Sequence, residues 1–131
     1  MEQMRVETGG KQAVRYIDLS GRRYALDFDY LAFSYAETVY EKEFGVAVNV
    51  SEIIEDLLRA RARAVMAFAW GAMRSAGEEI TFREFAKLLK DYSVLSGITA
   101  LVTDAVIDMM PAGEADEGEE HSKNGLSRGG E

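Results

Sequence analysis

The chain contains no cysteine, one histidine and one proline. Without cysteine it forms no disulfide bond and has no thiolate, which is compatible with a reducing compartment. The histidine, His121, lies in a stretch rich in Gly and Glu, where we expect no packed side chains to orient it. A histidine-based triad or zinc site inside the fold is therefore excluded, and no GxxxxGK[ST] phosphate loop is present. We expect a protein that is not an enzyme and has no catalytic residues, cofactor or metal.

Acidic residues outnumber basic ones, with 23 Asp and Glu against 15 Lys and Arg and a net charge of −8. Half of that excess lies in residues 111–131, which carry a charge of −4. Because nonspecific nucleic-acid binding needs a positive surface, we expect no nucleic-acid partner. The most apolar stretch, residues 64–73, is too short to span a bilayer, and no apolar run follows Met1. We therefore expect a soluble cytoplasmic protein with no signal peptide and no membrane partner.

Pro111 marks an abrupt change in composition. The residues before it contain patterned apolar side chains, whereas the residues after it are mainly small or acidic and have little to bury. We predict a flexible N-terminus over residues 1–12, a single domain over residues 13–110 and a disordered acidic tail over residues 111–131.

Apolar side chains alternate on both sides of Ser20-Gly21, and this pattern predicts a β-hairpin near the N-terminus. Helical spacing and capping residues follow, with Asp29, Asn49 and Thr81 each placed to begin a helix. The predicted helices cover residues 29–44, 49–75, a short segment from residue 81, and residues 92–110. The predicted fold class is therefore α+β, mostly α, with the hairpin packed on a bundle of about four helices.

The side chains suited to contacting a partner lie on the second and last predicted helices. Arg59 and Arg63 share a helix face and are candidates for docking an acidic partner, although a solvated face with local ion pairs is the more frequent explanation. Tryptophan and methionine suit adaptable interfaces, although at helical spacing they more often fill a core. The candidate partner-binding residues are Arg59, Arg63, Met66, Trp70, Met73 and Met109.

A second alternative concerns the last predicted helix. Asp104 and Asp108 are four residues apart and share its polar face, so they are a conceivable pair of ligands for a hard cation. A solvated face explains them better, because oxygen-ligand sites usually need more ligands and a shaped loop.

Several segments together resemble the tail assembly chaperones of long-tailed, siphovirus-type bacteriophages and prophages. The features that carry the resemblance span residues 20–110 and are patterns of residue type. They are a hairpin ending in Phe28-Asp29-Tyr30, a first helix with Glu37, Glu41 and Glu43 that closes in Phe44-Gly45, a helix centre of Ala67-Phe68-Ala69-Trp70-Gly71, and a Thr-initiated helix with Phe85 and Leu88.

The resemblance implies a function in viral tail assembly. Proteins of that group bind the tape-measure protein and tail-tube protein in the host bacterial cytoplasm, keep them soluble before the tail polymerises, and are not expected in the mature virion. The alternative is a small structural adaptor, such as a tail-completion or connector subunit, that is retained in the virion. The sequence leaves open whether the chain forms a homo-oligomer.

Overall fold

A computed structural model describes residues 14–110. Two antiparallel strands come first and five helices follow within this range. The elements are β1 (Arg15–Leu19), β2 (Arg22–Leu26), α1 (Tyr30–Glu43), α2 (Val50–Leu58), α3 (Ala62–Ser75), α4 (Phe82–Leu88) and α5 (Tyr92–Met109). The predicted fold class, a hairpin packed on helices, is confirmed. The predictions for residues 1–12 and 111–131 fall outside the described residues.

The hairpin forms at the predicted turn. Ser20 and Gly21 both have positive φ values, 51° and 81°, which suit the right-handed twist of a two-residue hairpin. One face of the hairpin turns its apolar side chains into the core, while Tyr16 on the other face is exposed. A two-stranded sheet is marginal in water, so this burial against the helices is what stabilises it.

α3 lies at the centre of the helical part, in contact with α1, α2, α4, α5 and β2. Its Gly71 lies directly against α1, because a Cβ built at Gly71 would be 2.3 Å from the Ala32 carbonyl oxygen. Beside this contact the ring of Phe68 stacks on Phe33 at 4.3 Å between centroids. The tight pairing of α1 with α3 therefore depends on a residue without a side chain.

The prediction of one long helix over residues 49–75 is wrong, because the chain turns between α2 and α3. Ala60 adopts a left-handed conformation with φ 55°. Its N–H donates to the Leu57 carbonyl at 2.9 Å, and the Arg61 N–H donates to the Asp56 carbonyl at 3.0 Å. These two bonds form a Schellman motif that ends α2, with alanine where glycine is usual.

α5 covers one side of the bundle through four buried side chains, Ile98, Val102, Ala105 and Val106. It has 18 residues and a mean hydropathy of 1.3, so by length and composition alone it is long and apolar enough to cross a membrane. A core helix of a soluble protein passes the same test. The expectation of no membrane partner therefore stays a prediction.

Candidate partner-binding surfaces

An open groove of about 650 Å³ lies between α1, α3 and the loop before α4. We call it the aromatic groove. Its walls include Tyr35, Trp70 and Phe82, while Lys42, Arg74 and Glu79 lie among its polar lining residues. On α1 the groove-facing residues recur at the spacing of one helix face, since Tyr35, Thr38 and Lys42 follow each other by three and four positions.

The aromatic side chains of the groove hold each other in fixed orientations. The Trp70 ring meets Tyr35 edge-on at 5.7 Å between centroids and Phe82 edge-on at 6.0 Å. Its Nε1–H donates to the Ile80 carbonyl oxygen at 2.8 Å. Edge-to-face packing and a satisfied indole N–H fix the ring, so the groove presents a preformed apolar wall.

Charged groups surround this wall. The Arg74 guanidinium donates to the Glu78 carbonyl oxygen at 2.8 Å and lies 5.6 Å from the centre of the Tyr35 ring. Lys42 is exposed and makes no ion pair with any described residue. Glu43 and Glu79 also line the groove, so its charged lining residues are balanced and it suits an apolar side chain that has a polar neighbour.

A polar cluster joins α1 to the turn between α2 and α3. The Tyr40 hydroxyl donates to Asp56 Oδ2 at 2.7 Å, and Arg61 and Arg63 each approach the same carboxylate at 3.4 Å. Burial of the ring raises the pKa of Tyr40 above its ordinary value, and the hydrogen bond to Asp56 and the negative charge of Asp56 raise it further. Arg63 therefore takes part in a local ion pair, whereas Arg59 makes none within the described residues.

The six candidate partner-binding residues do not form one surface. Trp70 is half-buried and lines the aromatic groove, while Arg59 and Arg63 lie at the turn between α2 and α3. Met66 and Met109 are half-buried and pack against the core. The structure corrects the prediction that Met73 contacts a partner, because Met73 is 0% exposed and belongs to the core. α3 is covered on most sides, so Met73 has no surface to offer a partner in this fold.

Of the residues that line the groove, the candidate partner-binding residues included only Trp70, and those that sequence reasoning missed include Tyr35, Lys42 and Phe82. Tyr35 and Phe82 fit the apolar pattern of their own helices, and Lys42 resembles any solvated helix residue. The groove exists because these residues meet Trp70 across three separate elements, and no local spacing encodes that meeting.

The two aspartates considered as cation ligands take different positions. Asp108 forms an ion pair with Arg15 of β1, while Asp104 is exposed. Among residues 14–110, no group of three or more His, Asp or Glu side chains is placed to hold a metal ion.

No protein-family model matches this chain, and no curated protein or solved structure is significantly similar to it. The resemblance to tail assembly chaperones therefore stays a prediction from sequence pattern.

Proposed function

We propose that this protein is a phage tail assembly chaperone that binds apolar segments of the tape-measure protein and tail-tube protein in the host bacterial cytoplasm. The observation that supports this proposal most strongly is the aromatic groove. It is open to solvent and preformed, and its walls are tyrosine, tryptophan and phenylalanine rings. Grooves of this kind accept apolar side chains projecting from a helix at positions i, i+3, i+4 and i+7.

The size of the groove limits how tightly it holds a client. Burying one large apolar side chain contributes about 1.5–3 kcal/mol, whereas micromolar binding corresponds to about 8 kcal/mol. The groove alone thus favours weak, reversible binding, and tighter binding needs further anchors. Leu31 is half-exposed and lies one turn before Tyr35 on α1, where it extends the same helix face. Weak and reversible binding is what a client needs if it is later released for polymerisation.

A pull-down from a tail-assembly lysate tests the proposal. We expect the tagged protein to recover the tape-measure chain and the tube protein. Thr38→Arg should reduce the recovery, because Thr38 is exposed and lines the groove, so that arginine places a long charged side chain there. Ser51→Arg is the matched control, since it adds the same charge to an exposed position of α2 outside the groove lining. If the wild-type protein recovers neither tail protein, the proposal is wrong.

Mass spectrometry of purified virions separates the chaperone from a structural adaptor. A chaperone is released before the tail is complete, so we expect its peptides to be missing from mature particles. A stoichiometric presence in the virion would favour the tail-completion or connector alternative.

A further inference from the structure

The turn between α2 and α3 is short and strained. Residues 59–61 alone separate Leu58, where α2 ends, from Ala62, where α3 begins. Ala60 in this turn has a φ of 55°, a left-handed conformation that the Cβ of an L-residue disfavours. Among the described residues, Ser20 in the hairpin turn is the only other non-glycine residue with a positive φ. Short, strained connections between packed elements favour exchange of those elements between two copies of a chain.

The residues of the turn favour a different conformation. Residues 59–64 alternate Arg and Ala, which are among the strongest helix formers. If all of them were helical, α2 and α3 would join into one helix over residues 50–75, roughly 39 Å long at about 1.5 Å per residue. In that helix Ala60 has an ordinary helical φ, and the backbone of the turn forms helical hydrogen bonds. The straight form therefore removes the strain that is present in the bent form.

One molecule by itself cannot straighten the turn without opening its core. The turn divides the described chain into a first unit, residues 14–58, and a second unit, residues 62–110. α3 of the second unit packs on β2, α1 and α2 of the first unit. Phe33 of the first unit stacks on Phe68 of the second, and Gly71 lies directly against α1. The bent form is therefore held by contacts between the two units, although the turn itself favours a straight helix.

A second copy of the chain can supply the same contacts. If the first unit of each copy packs on the second unit of the other, α1 and α3 still meet, but they come from different chains. The ion pair of Asp56 with Arg63 reforms between the copies, while the hydrogen bond of Tyr40 with Asp56 stays within the first unit. The charged side chains from residue 52 to residue 63 are balanced in sign, so two copies approach each other at the turn without net repulsion. They are Glu52, Glu55, Asp56, Arg59, Arg61 and Arg63.

We propose that this protein forms a domain-swapped dimer, in which residues 50–75 of each copy form one continuous helix and the first unit of each copy packs on the second unit of the other. The packing within the dimer matches that within two monomers, so the equilibrium depends on the turns. Relief of the strain at Ala60 and the added helical hydrogen bonds favour the dimer, whereas the loss of translational and rotational freedom favours the monomer. Exchange requires the two units to separate, so dimers form when the chain folds or partly unfolds, and they then dissociate slowly.

Each aromatic groove in the dimer contains side chains from two chains. Tyr35, Thr38 and Lys42 belong to the first unit, whereas Trp70 and Phe82 belong to the second. One dimer therefore carries two grooves joined by its long helices. If the groove binds clients as proposed above, a client with two apolar segments is held by both grooves, and the apparent affinity exceeds that of one groove. The dimer thus supplies the further anchor that one groove lacks.

Refolding of the full-length chain from urea, over a series of protein concentrations, tests the exchange. We expect size-exclusion chromatography with light scattering to resolve a dimer whose share rises with the concentration at refolding and which stays dimeric after dilution. If no dimer forms at the highest soluble concentration, or if the dimer dissociates at once on dilution, the proposal is overturned.

Glycine variants show whether the turn sets the equilibrium. Ala60→Gly relieves the left-handed conformation in the monomer and disfavours the continuous helix in the dimer. Each effect changes the equilibrium constant roughly five-fold at each of the two turns, so the dimer dissociation constant should rise by about a thousandfold. Ala100→Gly is the matched control, since Ala100 is an exposed residue of α5 that is helical in both forms, and it should leave the constant unchanged. Equal dissociation constants for wild type and Ala60→Gly would contradict the exchange.

A distance measurement identifies the kind of dimer. The chain has no cysteine, so Ser51→Cys in α2 and Ala76→Cys at the end of α3 provide two sites for nitroxide labels. Labelled chain is diluted with unlabelled chain before refolding, so that pulsed electron paramagnetic resonance reports the distance within one chain. The two backbone positions should lie roughly 37 Å apart in the dimer, along a straight helix, and closer together in the monomer, where the chain turns at Ala60.

A dimer in which the two labels are as far apart as in the monomer would show that folded monomers associate without exchange, and it would overturn the proposal. Refolding, chromatography and distance measurement use no client. Their failure therefore leaves the proposal for the aromatic groove standing, whereas failure of the pull-down leaves the exchange standing.

Discussion

Replacing Gly71 with alanine sets helix propensity against packing. Inside a helix, alanine is favoured over glycine by about 1 kcal/mol. At this position, however, the new Cβ would be 2.3 Å from the Ala32 carbonyl oxygen and 3.2 Å from Tyr35 Cβ. The first contact is with backbone, so no rotamer change relieves it, and α1 and α3 must separate by roughly 1 Å to restore van der Waals distance.

The cost of that separation outweighs the gain in propensity. Overpacking a core costs about 1–3 kcal/mol, and occasionally more. Moving the two helices apart also loosens the stack of Phe33 on Phe68, whose centroids are 4.3 Å apart. We place the packing cost near the upper end of the range, at about 3 kcal/mol, which leaves a net destabilisation of about 2 kcal/mol after the propensity gain.

Gly97→Ala is the matched control, because Gly97 lies inside α5 with nothing within 4 Å of a Cβ built there. It should gain stability by about 0.5–1 kcal/mol. Urea unfolding followed by circular dichroism gives the change in free energy of unfolding for both variants. In a thermal melt, 1 kcal/mol corresponds to about 4–8 °C in Tm for a domain of this size. If Gly71→Ala is as stable as the wild type or more stable, the close contact between α1 and α3 is wrong.

Three further variants test single interactions by urea unfolding. Ala60→Gly should stabilise by about 1 kcal/mol, because it relieves the left-handed conformation at φ 55°, whereas glycine inside a continuous helix would cost about that much. Thr81→Ala should lose about 1 kcal/mol, since the Thr81 hydroxyl accepts a hydrogen bond from the Glu84 N–H at 3.0 Å; an unchanged midpoint would contradict the cap. Tyr40→Phe should lose about 1.5–3 kcal/mol with the hydrogen bond to Asp56. The folded-state pKa of Tyr40 is raised above its ordinary 10.0, so this stabilisation is complete below pH 10 and should decline above it. If the difference in free energy of unfolding between wild type and Tyr40→Phe does not change above pH 10, that result would argue against the raised pKa.

Several helix boundaries were predictable from the sequence because they depend on capping residues and their neighbours within four residues. Asp29 accepts a hydrogen bond from the Ala32 N–H at 3.0 Å, and Asn49 forms a complete capping box with Glu52. Gly45 has a φ of 73° just after α1, as its place beyond the last helical residue indicates. Such bonds close over one turn of chain, so residue type and spacing are enough to predict them.

The break at Ala60 was not readable in this way. Residues 59–62 are alternating Arg and Ala, which are strong helix formers, so local propensity favours continuing the helix. The turn is instead held by the carboxylate of Asp56, which meets the Tyr40 hydroxyl from α1 and the Arg63 guanidinium from α3. Contacts between three elements outweigh a local preference of a few tenths of a kcal/mol per residue.

The candidate sites show the same difference between what local sequence predicts and what depends on contacts between distant elements. Composition and order along the chain were sufficient to identify the hairpin, the helical character, the acidic C-terminal segment and the run of arginines. Whether an apolar residue of α3 faces a groove or the core depended on how α1 and α4 pack around it, which places Trp70 beside Tyr35 and leaves Met73 fully buried. Helical periodicity describes which residues share a face, but the neighbours that cover each face come from distant parts of the chain.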